Sequence, residues 1–239
     1  MLGSSLGFSV QPGGSGWPWP RQLELLLNER APDDEVWLVD NLCEVASTTD
    51  DLERMLARVL QLQPDVVVLQ YGRGEALLRP CSRRTWRRNG WQPVTRSPLE
   101  ARLRRRLLRT VIRTRRALGL VRPWVPLRRF EQTFDRALTF MQQELASAIV
   151  VLGSTPVSDL QERRAPGSRA SVARHETAMR TVVDRHGVAW VPFEDVLAVD
   201  PEVADGDVLA PDGLHFSIEA HTALAQVVVE HVARIAPRT

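Results

Sequence analysis

The chain has 239 residues, of which 44% are hydrophobic and 25% charged, and its formal net charge is +2. These figures fit a soluble globular protein long enough for one sizeable α/β domain with its own core. They leave out several classes: no apolar run approaches a membrane span, no basic-then-apolar signal segment opens the chain, and two cysteines make no disulfide framework. A cytoplasmic protein is expected. The small net charge hides an asymmetry, because all 31 basic residues are arginine. Seventeen of them lie between Arg79 and Arg129 with one carboxylate, Glu100, whereas the remainder holds fourteen arginines against twenty-eight carboxylates. An acidic body carries a basic insert.

Residues 3–20 are rich in Gly, Pro and Ser and read as loop. Arg21 to Arg30 has helical spacing through Leu23, Leu26 and Leu27, and Val36-Trp37-Leu38-Val39 predicts a short buried strand. Thr49-Asp50-Asp51 offers a cap and an acidic first turn for a helix reaching about Leu62, which Pro64 ends. Asp65 to Tyr71 is the clearest strand. Beyond the arginine-rich stretch, Phe130 to Ala146 predicts a helix and Ala148 to Gly153 a strand. Ser168 to His186 predicts a helix, Val188 to Val191 a strand, and Ser217 to Ile235 a final helix capped by Ser217. Continuously apolar strands alternating with helices imply a parallel sheet covered on both faces.

Two short motifs carry the chemistry: Gly3-Ser4-Ser5-Leu6 at the start, and Asp212-Gly213-Leu214-His215 near the end. A serine on a glycine turn together with an Asp-x-x-His supplies a hydrolytic triad, in which the histidine takes the serine proton and the aspartate fixes the imidazole tautomer. Each motif is an ordinary loop sequence by itself; their order and the α/β pattern between them give them weight. No histidine or cysteine pairing has metal-ligand spacing, so no metal or organic cofactor is expected.

The layout resembles the SGNH (GDSL-type) hydrolase superfamily, across nearly the whole chain. The resemblance implies a flavodoxin-like three-layer α/β/α fold with a parallel sheet of about five strands, as a single domain over residues 1–239. Ser5 takes the nucleophile's place in the family's Gly-Asp-Ser-Leu block, and Asp212 and His215 match its Asp-x-x-His. Val151 to Pro156 resembles the passage before that last block. The oxyanion positions fall on Ser5, Ala46 and Gly74. In the second block Ala46 stands where the family has a glycine, and in the third Gly74 stands where it has an asparagine. Loss of one such donor costs on the order of 10²–10³ in rate. Arg73, read with Trp17 as substrate-binding, or the Ser5 and Ala46 amides could make up for the lost donor. Only Met1 and Leu2 precede Gly3, where a strand of about five or six residues is expected, so further residues upstream are anticipated.

The resemblance implies serine-dependent ester hydrolysis, as an esterase or deacylase, on a small or carrier-bound acyl substrate, possibly an anionic one. An acyltransferase using the same acyl-enzyme and a catalytically dead SGNH-like binding protein are the alternatives. Trp17 and Trp19 line an acyl or aglycone pocket, or else anchor a loop. Glu75 either orients the loop beneath the nucleophile or is a plain surface charge. His175, His186, His221 and His231 read as helix-surface residues, and Cys43 as a small buried thiol. In the insert, at about 76–129, Leu99, Leu103, Leu107, Leu108, Val111, Ile112 and Leu118 form an apolar stripe on a basic helix. The favoured reading is a lid that packs this stripe over the active site. Docking on an anionic membrane comes second, and nucleic acid is not expected.

Overall fold

A computed structural model describes residues 1–3, 18–86, 98–199, 208–210 and 215–235, with the side chains of 98–105 left aside. The centre of the sheet is built by two β-branched runs, β2 (Val66–Gln70) and β3 (Ala148–Leu152). They pair in parallel, with Val66 opposite Ala148 and Leu69 opposite Val151. β1 (Leu2–Gly3) flanks β2, with Leu2 opposite Leu69, and β4 (Ala189–Val191) flanks β3. The order β1-β2-β3-β4 is parallel throughout.

A fifth extended segment lies outside β1. The Met1 amino group donates to the Asp40 carbonyl, the Leu42 amide to Met1 and the Glu44 amide to Gly3. That two-residue spacing is the rhythm of a parallel ladder. The strand expected at 36–39 does not form. The Trp37 amide donates to Asn28 Oδ1, Asn28 Nδ2 donates back to the Trp37 carbonyl, and the Val39 amide donates to Glu24 Oε2. Side chains of the first helix thus hold the backbone groups a ladder would use, and Val36 and Leu38 are left exposed. A cavity of about 480 Å³ lies between this segment, Met1 and the start of β2.

Alternate residues of the central strands face opposite layers. Val67, Leu69, Ile149 and Val151 pack with Leu52, Met55, Phe130, Phe134, Met141, Met179 and Val182. These come from α2 (Leu52–Leu62), α6 (Leu127–Glu144) and α8 (Ser168–His186). Val68, Val150 and Leu152 face Trp19, Leu23 and Leu27 of α1 (Trp19–Arg30), Val196 of α9 (Phe193–Val199), and Leu224 and Val228 of α10 (Ile218–Ile235). The result is a three-layer α/β/α domain. Short helices α3 (Arg73–Ala76), α4 (Arg83–Trp86) and α7 (Asp159–Arg164) punctuate the connections.

The basic insertion leaves and re-enters the body through one clasp. The Arg79 amide donates to the Arg122 carbonyl at 2.9 Å, and Arg122 returns the bond at 3.2 Å. The Arg79 guanidinium lies 4.0 Å from the ring centroid of Trp124, which also contacts Trp86. At the edges of the expected 76–129 insertion, Ala76 and Leu77 are buried in the body and α6 starts at Leu127. The insertion's main element is α5 (Pro98–Ala117). In the described part of α5, Leu108 and Ile112 are half-buried while Leu107 and Val111 stand exposed, as do Leu118 and Leu120 beyond it. The stripe is therefore wider than the buried side of the described part of the helix.

Candidate active site at the carboxyl edge of the sheet

Buried polar residues concentrate where β1, β2 and β3 end. Ser47, Thr48, Thr49, Gln70, Arg73, Glu75, Ser154 and Thr155 are all buried there. Carboxyl ends of parallel strands are where ligands bind in open α/β sheets. Gly3 closes β1 against β2 at close range: a Cβ there would sit 2.9 Å from the Gln70 carbonyl oxygen and 3.0 Å from the Gln70 Cβ. Only glycine permits that approach. Ser5, Trp17 and Asp212 lie outside the described residues.

The second loop follows the extended segment 40–44. Ala46 adopts φ +57°, the left-handed region that favours glycine. The backbone therefore keeps the conformation of the glycine that the resemblance places here, at the cost of a Cβ. Two contacts hold it. Arg83 Nε, from the insertion, donates to the Ala46 carbonyl at 2.7 Å, and the same guanidinium pairs with Asp51. Asp51 Oδ2 in turn accepts the Thr48 amide at 2.9 Å.

Glu75 joins this loop to the end of β2. Its Oε2 accepts the Thr49 amide at 2.8 Å and the Thr49 hydroxyl at 2.9 Å, while its Oε1 accepts the Gly72 amide at 3.0 Å. Its carbonyl accepts the Trp124 amide, which ties in the base of the insertion. Glu75 is 1% exposed, so the surface-charge reading fails. Burial pushes its carboxyl up to about 7, and the three donors offset only part of that. Gly72 turns at φ +103°, and a Cβ on it would meet Ser154 Oγ at 2.8 Å. Gly74 lies in the first turn of α3, and its carbonyl accepts from Arg79 Nη2. Arg73 is 2% exposed, buried within the body.

His215 is half-exposed on the loop before α10. The Ala210 amide donates to the His215 carbonyl and the Ser217 amide to Val208, which pins both ends of the segment containing Asp212. The adjoining Phe216 stacks on Phe193 at 5.9 Å, beside the end of β4, so this loop reaches the carboxyl edge of the sheet. Phe216 also contacts the His221 ring edge-on. His221 is buried, and its Nδ1 accepts the Trp19 amide at 3.2 Å, which places the ring proton of the neutral form on Nε2. Burial, with a smaller contribution from neighbouring His215, lowers its pKa to about 4. His221 thus ties α10 to the start of α1.

A cavity of about 290 Å³ opens past β3, lined by Ser154, Thr155, Val157, Arg169, Glu176 and Phe193 among others. The Ser154 amide donates to Glu176 Oε1, whose carboxyl is raised by burial. The Ser154 and Thr155 hydroxyls are buried without a hydrogen-bond partner among the described residues. Cys43 is buried against Gly3, and burial pushes its thiol up to about 12, as suits an inert packing residue. Among the described residues, no group of three His, Cys, Asp or Glu side chains is placed to hold a metal ion, and no helix is long and apolar enough to cross a membrane.

A family model of GDSL-like lipases and acylhydrolases matches residues 1–223. The chain belongs to that family. The matched span includes both end motifs, Gly3 to Leu6 and Asp212 to His215. Similar solved structures include LAE5, an alpha/beta hydrolase enzyme from the metagenome of Lake Arreo, Spain, at 19% identity and TM-score 0.63, covering 99% of this chain and 94% of that one. The lipase/acylhydrolase of Enterococcus faecalis is similar at 17% identity and TM-score 0.63, covering 100% and 97%. Axe2, an acetylxylan esterase from Geobacillus stearothermophilus, is similar at 14% identity and TM-score 0.61, covering 99% and 93%. At such identities the likeness shows the fold, and the fold is that of the GDSL-like hydrolases. No curated protein sequence matches the chain.

Sequence reasoning missed the burial of His221 and His175. His175 Nδ1 lies 2.9 Å from the Ser171 carbonyl and Nε2 3.0 Å from that of Val125, inside the layer formed by α6 and α8. The signal was present: Val172, His175, Met179 and Val182 share one helical face, as do His221, Leu224, Ala225 and Val228.

Proposed function

We propose that this GDSL-like hydrolase cleaves esters through Ser5, His215 and Asp212. In this reading Ser5 Oγ attacks the acyl carbonyl while His215 takes its proton, and Asp212 holds the imidazole tautomer. The tetrahedral oxyanion is met by the amides of Ser5 and Ala46, with Gly74 contributing no side-chain donor. His215 then returns the proton to the departing alcohol, and water enters by the reverse sequence to release the acid. The observation that carries the reading is Glu75, which binds the Thr49 amide and hydroxyl with one oxygen and the Gly72 amide with the other. It thereby fixes the Ala46 loop relative to the end of β2, and a preorganised frame of backbone donors is what oxyanion stabilisation requires. The substrate is a small or carrier-bound acyl ester.

The test is intact mass after treatment with a fluorophosphonate probe, on wild type, Ser5→Ala and His215→Ala. One adduct on wild type, absent from both variants, supports the assignment. No adduct on folded wild type refutes it and moves the assignment to a catalytically dead binding protein, as the missing donor at Gly74 would then explain.

A further inference from the structure

The basic insertion reaches the Ala46 loop through one side chain. The Ser47 amide donates to the Glu44 carbonyl at 3.1 Å, which closes a turn with Ala46 at its third position. Ala46 holds φ +57° there. Glycine supplies a positive φ at that position without strain, whereas alanine favours the right-handed region by about tenfold or more. Other contacts must therefore hold the turn.

Arg83 spans the loop. Its Nε donates to the Ala46 carbonyl at 2.7 Å, and its Nη2 pairs with Asp51 Oδ2, the oxygen that accepts the Thr48 amide. One planar guanidinium thus binds both ends of residues 46–51, and with the side chain 19% exposed it is well shielded from competing water. Arg83 is itself fixed, because Cys81 and Trp86 on either side of it both meet Trp124. The Cys81 carbonyl accepts Trp124 Nε1 at 3.1 Å, and the Trp86 and Trp124 ring centroids are 5.6 Å apart. The Trp124 amide donates to the Glu75 carbonyl at 2.8 Å, and the Glu75 carboxyl holds Thr49. Loop, Glu75, Trp124 and Arg83 close into a ring of contacts.

We propose that Arg83 is a positioning residue for the Ala46 amide, holding the strained turn so that this amide keeps its place in the oxyanion frame. The proposal rests on the ester reading above, in which the Ala46 amide meets the oxyanion. A preorganised donor contributes only in the fraction of molecules that hold it in place. Without Arg83, the preference of alanine leaves that fraction at about a tenth. Turnover then falls, while ground-state binding, which does not use the oxyanion, is unchanged. An ion pair with a merely structural role would lower stability and leave the kcat of the folded protein as it was.

The experiment is steady-state hydrolysis of p-nitrophenyl acetate by the full chain, with hydrogen exchange of peptides covering residues 44–49 followed by mass spectrometry. Arg83→Gln should lower kcat by about tenfold with KM changed by less than about twofold, and should speed exchange in that stretch. Arg83→Lys, which can keep one of the two contacts, should fall between. With Ala46→Gly in the same chain the left-handed turn costs little, so Arg83→Gln should then lower kcat by less than about threefold. Circular dichroism checks that each variant folds. Wild-type kcat in Arg83→Gln, the same tenfold loss with and without Ala46→Gly, or unchanged exchange at 44–49 would overturn the proposal and leave the ester reading standing. A folded wild type inert toward both the ester and a fluorophosphonate would sink the ester reading and this proposal together.

Discussion

Glu75→Gln tests whether burial or hydrogen bonding governs the carboxyl that frames the site. In the unfolded chain Glu75 titrates near its ordinary value of 4.5, whereas in the fold it titrates at about 7. Between those values the folded protein binds the extra proton, so the contribution of Glu75 to stability is fully present below pH 4.5 and is lost as pH rises through 7. Over the interval from about pH 5 to about pH 8 the loss amounts to roughly 2 to 3 kcal/mol. Glutamine does not titrate. It presents an amide NH₂ to one of the three donors from Thr49 and Gly72, which costs about 1 to 3 kcal/mol at every pH. Urea denaturation of both proteins across this range should therefore show wild type ahead at about pH 5 and the gap closed, or inverted, at about pH 8. The other titrating groups are shared and cancel in the difference. If the variant instead loses ground as pH rises, the three donors outweigh desolvation and the reasoning is wrong.

Ala46→Gly should remove the left-handed strain at φ +57°, for a net gain of about 0.5 to 1 kcal/mol after the unfolded-state entropy of glycine. A thermal melt should rise by about 1 to 4 °C for a chain of this size, with ester hydrolysis retained because the amide survives. Gly72→Ala meets Ser154 Oγ and a φ of +103° and should cost more than about 1 kcal/mol by denaturation; Ser154→Gly in the same chain should restore part of it. His221 titrates at about 4 in the fold against 6.5 unfolded, so its contribution is present above pH 6.5 and lost as pH falls through 4. His221→Gln should flatten the acid limb of the stability profile by roughly 3 kcal/mol, and an unchanged acid limb would refute the burial argument.

The layers of this fold are written in local pattern. The runs Asp65 to Tyr71 and Ala148 to Gly153 are apolar on both alternations, which specifies strands covered on two faces, and Pro64 and Gly187 mark where helices stop. Gly3-Ser4-Ser5-Leu6 and Asp212-Gly213-Leu214-His215 suggested the family from short local motifs at the two ends of the chain, and the family model spans both. Other features depended on partners distant in sequence. Val36 to Val39 has strand composition, yet Asn28 and Glu24 claim its backbone. Glu75 is one carboxylate among twenty-nine acidic residues in the sequence, and only the meeting of Thr49 with Gly72 buries it. The stripe on α5 has the same spacing whether it covers a site or faces solvent. Periodicity determines which side chains share a face; what that face meets is decided by long-range packing, so the exposure of Leu107 and the burial of His221 belong to the tertiary structure alone.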